Sequence, residues 1–203
     1  MYKTVVFDLD GTLLNTLTDL ADAGNRLCRK YGWPTYELVE RLAPADQRTP
    51  AVLEAALADF KRDYGQHLRD TTAPYPDIPE MLAKLKANGV QLAVFSNKAD
   101  ALAKEVVKDY FGTQYFTIVR GQMTGVAPKP AAEGTNALLQ ALHADPASTL
   151  YVGDSNVDVE TAHNANLPCC GAVWGFRTRE ELNAAGAEYL AENSDELYDV
   201  IMK

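Results

Sequence analysis

Val5-Val6-Phe7-Asp8-Leu9-Asp10-Gly11-Thr12 is a short apolar run that stops at two carboxylates one residue apart. Its length is that of a buried parallel strand, and ligands in open α/β sheets bind beyond the carboxyl ends of such strands. Residues i and i+2 of an extended strand share a face, and Gly11 permits a turn directly after Asp10 that separates the two acids into different roles. Taken alone, the segment also fits an ordinary strand end, where Asp and Gly are common for local hydrogen-bonding and φ > 0 reasons.

Working outward, strand-like and helical runs alternate from Pro76 onward, the signature of a parallel sheet covered on both faces. The pattern predicts strands over Gln91 to Phe95, Tyr115 to Val119, Thr149 to Val152 and Ala172 to Trp174. Helices are expected over Pro79 to Asn88, Ala99 to Tyr110, Ala131 to His143 and Val157 to Asn164, with two more beginning near Thr178 and Ser194. Between Asn15 and Thr72 the pattern changes to helical periodicity (Leu17, Leu20, Ala21, Gly24, Leu27) without a convincing strand. The segment reads as a small helical insertion, residues 15–75, that returns through the Pro-rich Thr71-Thr72-Ala73-Pro74-Tyr75-Pro76 to an α/β core of residues 1–14 and 76–203.

Three further strand ends carry polar groups. Leu92-Ala93-Val94-Phe95 runs into Ser96-Asn97-Lys98, where the Ser96 hydroxyl can donate to a phosphate oxygen, or where Ser96 or Asn97 caps the next helix. Ala127-Pro128-Lys129-Pro130 sets one lysine in a stiff loop, a point charge suited to a phosphoryl group or an ordinary solvated side chain. Leu150-Tyr151-Val152-Gly153 ends in Asp154, with Asp158 four residues later. If the helix begins between them both can face one Mg²⁺, and the competing reading is N-terminal capping. Together, an acidic pair, a hydroxyl, a lysine and a second acidic pair, each following a strand of one sheet, point to phosphoryl transfer.

The bulk properties agree. A chain of 203 residues with 47% hydrophobic residues can bury a substantial core. Net charge −9 and pI near 4.8 argue against a nucleic-acid or anionic-membrane surface, so an anionic substrate has to be held locally. The core carries most of the acidic excess, since residues 15–75 hold eight Lys/Arg and nine Asp/Glu. Cys28, Cys169 and Cys170 form no C-x-x-C spacing and read as reduced, packed thiols, the adjacent pair as a turn before the Ala172 strand. Without a signal-like or membrane-spanning apolar run, a cytoplasmic location is expected.

The ordered set Asp8-Leu9-Asp10-Gly11-Thr12, Ser96-Asn97, Lys129 and Gly153-Asp154 through Asp158 resembles the haloacid dehalogenase superfamily of phosphohydrolases. Pro74-Tyr75-Pro76, Ser96-Asn97-Lys98 and Trp174-Gly175-Phe176-Arg177 with Glu180-Glu181-Leu182 look most like its phosphoglycolate phosphatase branch. The resemblance implies a Rossmann-like α/β fold with a helical cap and a Mg²⁺-dependent phosphatase acting on a small phosphorylated metabolite, with 2-phosphoglycolate as candidate. By the same resemblance Asp8 is the nucleophile, Asp10 the acid and base, and Thr12 orients Asp10. Mg²⁺ is held by Asp8, the Asp10 carbonyl and Asp154, with Asp158 in support. Ser96, Asn97, Lys129 and the backbone N–H groups of Leu9, Asp10 and Gly11 hold the phosphoryl oxygens.

The sequence departs from that branch at Asn15, which replaces an acidic residue, and over Arg41 to Thr49, where Ala43-Pro44-Ala45-Asp46 has no glycine. These changes bear on the leaving group, which Arg41, Arg48 or His67 could contact, unless they are exposed surface side chains. A sugar phosphomutase of the same superfamily, and a catalytically silent phosphate-binding or regulatory protein, are the competing functions.

Overall fold

In the computed structural model, which describes residues 1–33, 44 and 49–203, the opening apolar run forms strand β1 (Thr4–Phe7). All four of its residues are buried, as a strand covered on both faces requires. The rest of the α/β unit follows as α3 (Ile78–Ala87), β4 (Gln91–Ala99), α4 (Asp100–Phe111), β5 (Phe116–Gln122), α5 (Ala132–Leu142), β6 (Thr149–Gly153), α6 (Asn156–Asn164), β7 (Cys169–Ala172), α7 (Arg179–Ala185), β8 (Tyr189–Ala191) and α8 (Ser194–Met202). Between β1 and α3 the chain forms β2 (Leu14–Asn15), α1 (Leu17–Tyr31), α2 (Pro50–Gln66) and β3 (Ala73–Pro74).

The main sheet has the order β5-β4-β1-β6-β7-β8, and every adjacent pair is parallel. The chain adds strands outward from β1 on one side and then crosses to the other side through β6. That reversal makes the ends of β1 and β6 the topological switch point, where doubly wound sheets bind ligands. Register sharpens the placement, since Phe7 pairs with both Val94 and Val152. Asp8, Ser96 and Asp154 therefore lie near one level at the carboxyl edge of the sheet. A core cluster containing Val6, Ala93, Phe95, Leu138, Tyr151, Val159 and Leu182 underlies that edge.

The chain divides into two compact units, Met1–Asn15 with Pro74–Lys203, and Thr16–Ala73. In the second, Leu27, Cys28, Trp33 and Ala56 form a buried cluster with Tyr31, Val52 and Phe60 against it. Arg26–Asp63 at 2.7 Å, Lys30–Asp59 at 2.5 Å and Arg62–Asp59 pair charges in this unit. Such solvent-accessible pairs are screened by water, whereas each fully buried large apolar side chain contributes roughly 1.5–3 kcal/mol, so the apolar cluster dominates the packing of α1 on α2.

The buried stripe of α1 is Asp19, Ala23, Gly24, Leu27 and Cys28, displaced from the expected one, and Leu17 is exposed. The physical reason is Asp19. Its carboxylate faces inward and accepts from the backbone N–H and the hydroxyl of both Thr71 and Thr72, at 2.6–3.0 Å. Burial alone pushes this carboxyl up, but the Thr71 and Thr72 hydrogen bonds hold it below the usual carboxylate range.

Three strand expectations need correction. The strand expected over Ala172 to Trp174 lies earlier, at Cys169–Ala172, so Cys169 and Cys170 are strand residues and not a turn. They pair with Tyr151 and Val152, where a thiol packs as a small hydrophobe. β8, and the β2–β3 pair, are too short to display a period of two. β4 runs on past Phe95 to Ala99, where a helix was expected to start. The remaining helices begin and end within two residues of their expected limits. Among the described residues, no helix is long and apolar enough to cross a membrane.

Candidate active site

Asp8 follows β1 directly, and its N–H donates to the Val152 carbonyl at 2.8 Å, which ties it to the end of β6. Asp154 follows β6, and Ser155 caps α6, so the helix does begin between Asp154 and Asp158. Carboxylate oxygens of Asp8, Asp154 and Asp158 lie within 4.8 Å of one another, and all three residues are buried. Lys129 enters this cluster from the loop before α5. Its Nζ donates to Asp158 Oδ1 at 2.7 Å and to the Tyr151 hydroxyl at 3.3 Å, and lies 2.8 Å from Asp8 Oδ1. The last contact is a buried ion pair between Lys129 and Asp8.

Backbone space around Asp154 is available only because of glycine. Gly11 has φ +85°, and a Cβ there would overlap the Asp154 carboxylate. A Cβ on Gly175 would overlap Asp154 Cβ and crowd the Gly11 carbonyl at 2.5 Å. The Asp154 oxygens accept from Thr12 Oγ1 at 3.2 Å and from the Phe176 N–H at 2.8 Å, while Trp174 Nε1 donates to the Thr12 carbonyl at 3.0 Å. Asp158 has both oxygens engaged, one by Lys129 and the other by the Ser155 N–H and hydroxyl at 3.1 and 2.6 Å. Capping and site architecture, alternatives in the sequence, are here the same hydrogen bonds.

Electrostatics follow from burial. Burial pushes the Asp8 carboxyl up to about 7, with Lys129 opposing and Asp158 adding to the rise. Burial, followed by the Asp158 and Asp8 charges, pushes Asp154 up to about 8. Burial would lower Lys129, but the Asp158 and Asp8 carboxylates hold it well above its ordinary value, so it is an ammonium. With Asp10 paired to Lys98, four carboxylates face two ammoniums, an excess of two negative charges when all are ionised. A hard divalent cation suits that donor set.

A stability prediction follows. Asp8 and Asp154 have folded values above their unfolded ones, so the native protein binds more protons than the unfolded chain between about pH 4 and pH 8. Metal-free protein should therefore lose Tm as pH rises from 5 to 8. Added Mg²⁺, which needs the ionised carboxylates, should raise Tm more at pH 8 than at pH 6. A metal-free Tm that climbs across this window in calorimetry contradicts the assignment.

The structure brings Asp8, Lys129, Asp154 and Asp158 together and places Ser96, 3% exposed, at the same sheet edge. Other expected partners differ. Thr12 hydrogen-bonds to Asp154 instead of Asp10, because the Gly11 turn carries it toward the end of β6. Both ends of the Asn97 amide bind the Lys129 backbone, at 2.8 and 3.3 Å, so in this structure Asn97 positions the lysine loop. His67 caps the end of α2 and pairs with Asp70 at 2.7 Å, while Arg41 and Arg48 lie outside the described residues.

Two contributions were missed in the sequence. Lys98 Nζ contacts both Asp10 carboxylate oxygens, at 2.9 and 3.1 Å. The Phe176 N–H reaches Asp154 from the loop after β7. For Lys98 a signal existed, since a lysine that follows a buried apolar strand toward an acidic edge needs a carboxylate partner. For Phe176 there was none, because a backbone donor has no side-chain signature.

Comparison with known proteins accords with this geometry. The family model described as haloacid dehalogenase-like hydrolase matches residues 5–172. A phosphoglycolate phosphatase of Aquifex aeolicus is 32% identical over 185 residues, covering 86% of each chain. One from Chromobacterium violaceum is 29% identical, covering 98% of this chain and 96% of its own. A solved structure from Lactobacillus delbrueckii subsp. bulgaricus, provisionally named phosphoglycolate phosphatase, superposes with a TM-score of 0.90 at 27% identity over 98% of both chains. The protein belongs to the haloacid dehalogenase-like hydrolases, in their phosphoglycolate phosphatase-like branch, and is a phosphoric monoester hydrolase.

Proposed function

We propose that the protein is a Mg²⁺-dependent phosphatase that hydrolyses a small phosphorylated metabolite through an aspartyl phosphate on Asp8, with 2-phosphoglycolate as its substrate. The observation that carries the reading is Asp8, a buried carboxylate 2.8 Å from the Lys129 ammonium, clustered with Asp154 and Asp158 at the switch point of the sheet. A carboxylate so placed has two oxygens, one for phosphorus and one for a metal ion. The names of the Aquifex and Chromobacterium relatives support the substrate.

In the first step an Asp8 oxygen bonds to phosphorus, the ester P–O bond breaks, and Asp10 gives its proton to the leaving oxygen. In the second, Asp10 takes a proton from water as that water bonds to phosphorus, and the bond to Asp8 breaks to release inorganic phosphate. Lys129 sits beside the reacting Asp8 oxygen and balances charge that builds on the phosphoryl oxygens. Ser96 is suited to donate its hydroxyl to the same group, since its oxygen already accepts from the Lys98 N–H at 3.2 Å. Asp8, Asp154 and the Asp10 carbonyl are the ligands proposed for Mg²⁺, whose charge lets an anionic nucleophile meet an anionic ester. Asp158, saturated by Lys129 and Ser155, supports the site by holding the lysine. The helical unit is proposed as a cap on residues 15–75 that reads the leaving group and excludes water.

The test is phosphate release from a panel of phosphorylated metabolites, with Mg²⁺ and with chelator. Hydrolysis should require Mg²⁺, rank 2-phosphoglycolate first by kcat/KM, and leave a phosphoryl group on Asp8 in acid-quenched protein. Phosphate transferred to a second sugar hydroxyl without net release would identify a mutase instead.

A further inference from the structure

The end of β4 is irregular in a way that ordinary sheet pairing does not need. Phe95 pairs with Arg120 and Ala99 with Gln122, so four steps of β4 span two of β5, and Ser96, Asn97 and Lys98 occupy the resulting bulge. Bulges re-aim side chains, and this one is held from several sides. The Lys98 N–H donates to Ser96 Oγ at 3.2 Å, and Asn97 binds the Lys129 backbone. Gly121 packs so close to the Lys98 carbonyl that a Cβ would overlap it, and the Gly121 N–H donates to Asp100 Oδ1 at 3.0 Å.

The bulge points Lys98 at Asp10. The lysine side chain is 3% exposed and Asp10 18%, and the ammonium touches both carboxylate oxygens. Contact through both oxygens restrains rotation of a carboxylate about its terminal torsion, which is otherwise broad and soft. Three consecutive residues thus divide the site, with Ser96 offering a hydroxyl, Asn97 setting the Lys129 loop and Lys98 setting Asp10.

Resting on the phosphatase reading above, we infer that Lys98 is a positioning residue for proton transfer. It holds the Asp10 carboxyl in line with the leaving oxygen and acts on the reaction through Asp10, not by binding phosphate. Proton delivery matters in proportion to the basicity of the leaving oxygen. An alkoxide must be protonated as the ester bond breaks, whereas p-nitrophenolate departs without help.

The experiment is single-turnover phosphoryl transfer to enzyme in excess, with p-nitrophenyl phosphate and with the fastest aliphatic phosphate of the metabolite panel. Lys98→Met should slow transfer from the aliphatic ester by about tenfold or more, a part of the roughly 10²–10⁴-fold that general acid catalysis contributes. It should slow p-nitrophenyl phosphate less than threefold and leave half-saturation within threefold for both (roughly 0.7 kcal/mol). Lys98→Arg should recover part of the loss. In an Asp10→Asn background, Lys98→Met should add less than twofold to the aliphatic loss, because its route of action is already gone. Equal slowing of both esters, a half-saturation constant that rises with the transfer rate intact, or effects that multiply in the double variant would overturn the inference. If wild-type protein accepts phosphate from neither ester, the phosphatase reading itself fails, an outcome distinct from these.

Discussion

Asp8→Asn should abolish phosphate release from p-nitrophenyl phosphate, by about 10³-fold or more in kcat, a loss of about 4 kcal/mol in transition-state stabilisation or greater. The amide has nearly the volume of the carboxylate but no lone pair basic enough to bond to phosphorus. The fold should survive the change. The amide still offers an oxygen to the Lys129 ammonium, which also keeps its 2.7 Å bond to Asp158. The variant should even gain stability where the wild-type site is most strained electrostatically. Burial pushes the Asp8 carboxyl up to about 7, so at pH 8 without metal the native state holds it ionised at a cost that an amide does not have. The Tm gain of Asp8→Asn over wild type should therefore be largest at pH 8 and shrink as pH falls toward 4. Residual turnover above one hundredth of wild type, with the fold intact by circular dichroism, would remove Asp8 as nucleophile.

Three of the segments that define the site were legible because each couples two strong local signals, a buried apolar run and a polar group just past it. Val5–Phe7, Leu92–Phe95 and Leu150–Val152 fall within observed strands, and parallel pairing in register brings their ends to one edge. What stayed hidden was which side chain engages which. Asp10 meets Lys98 across 88 positions and Thr12 meets Asp154 across 142, and neither pairing leaves a periodicity to read. The bulge in β4 was hidden for a related reason. Ser96 and Asn97 favour helix starts in isolation, and the tertiary hydrogen bonds to Lys129 and the close approach of Gly121 override that preference. β7 was displaced because two cysteines and a glycine carry little strand propensity, although all are buried in the sheet.

Lys129→Met is expected to combine the largest stability loss with a severe loss of activity. Methionine fills most of the volume of lysine, so packing changes little. The charge is what disappears, from a side chain 3% exposed between Asp8 and Asp158. Breaking a buried pair by deleting one partner leaves an uncompensated charge and costs about 3–5 kcal/mol, near 10 °C in Tm for a domain of this size. Asp158 should bear most of that cost, because it is 0% exposed and Lys129 supplies its only partner outside the Ser155 cap among the described hydrogen bonds. Two comparisons separate this account from general damage. The Tm loss should be greater at pH 8 than at pH 5, where Asp8 is protonated and only Asp158 misses the ammonium. Introduced into Asp158→Asn, Lys129→Met should cost less than half of what it costs in the wild type, because the orphaned carboxylate is no longer there. Additive losses in that double-mutant cycle, measured by calorimetry without metal, would mean that Lys129 stabilises through its packing on Tyr151 and not through the pair it forms with Asp158.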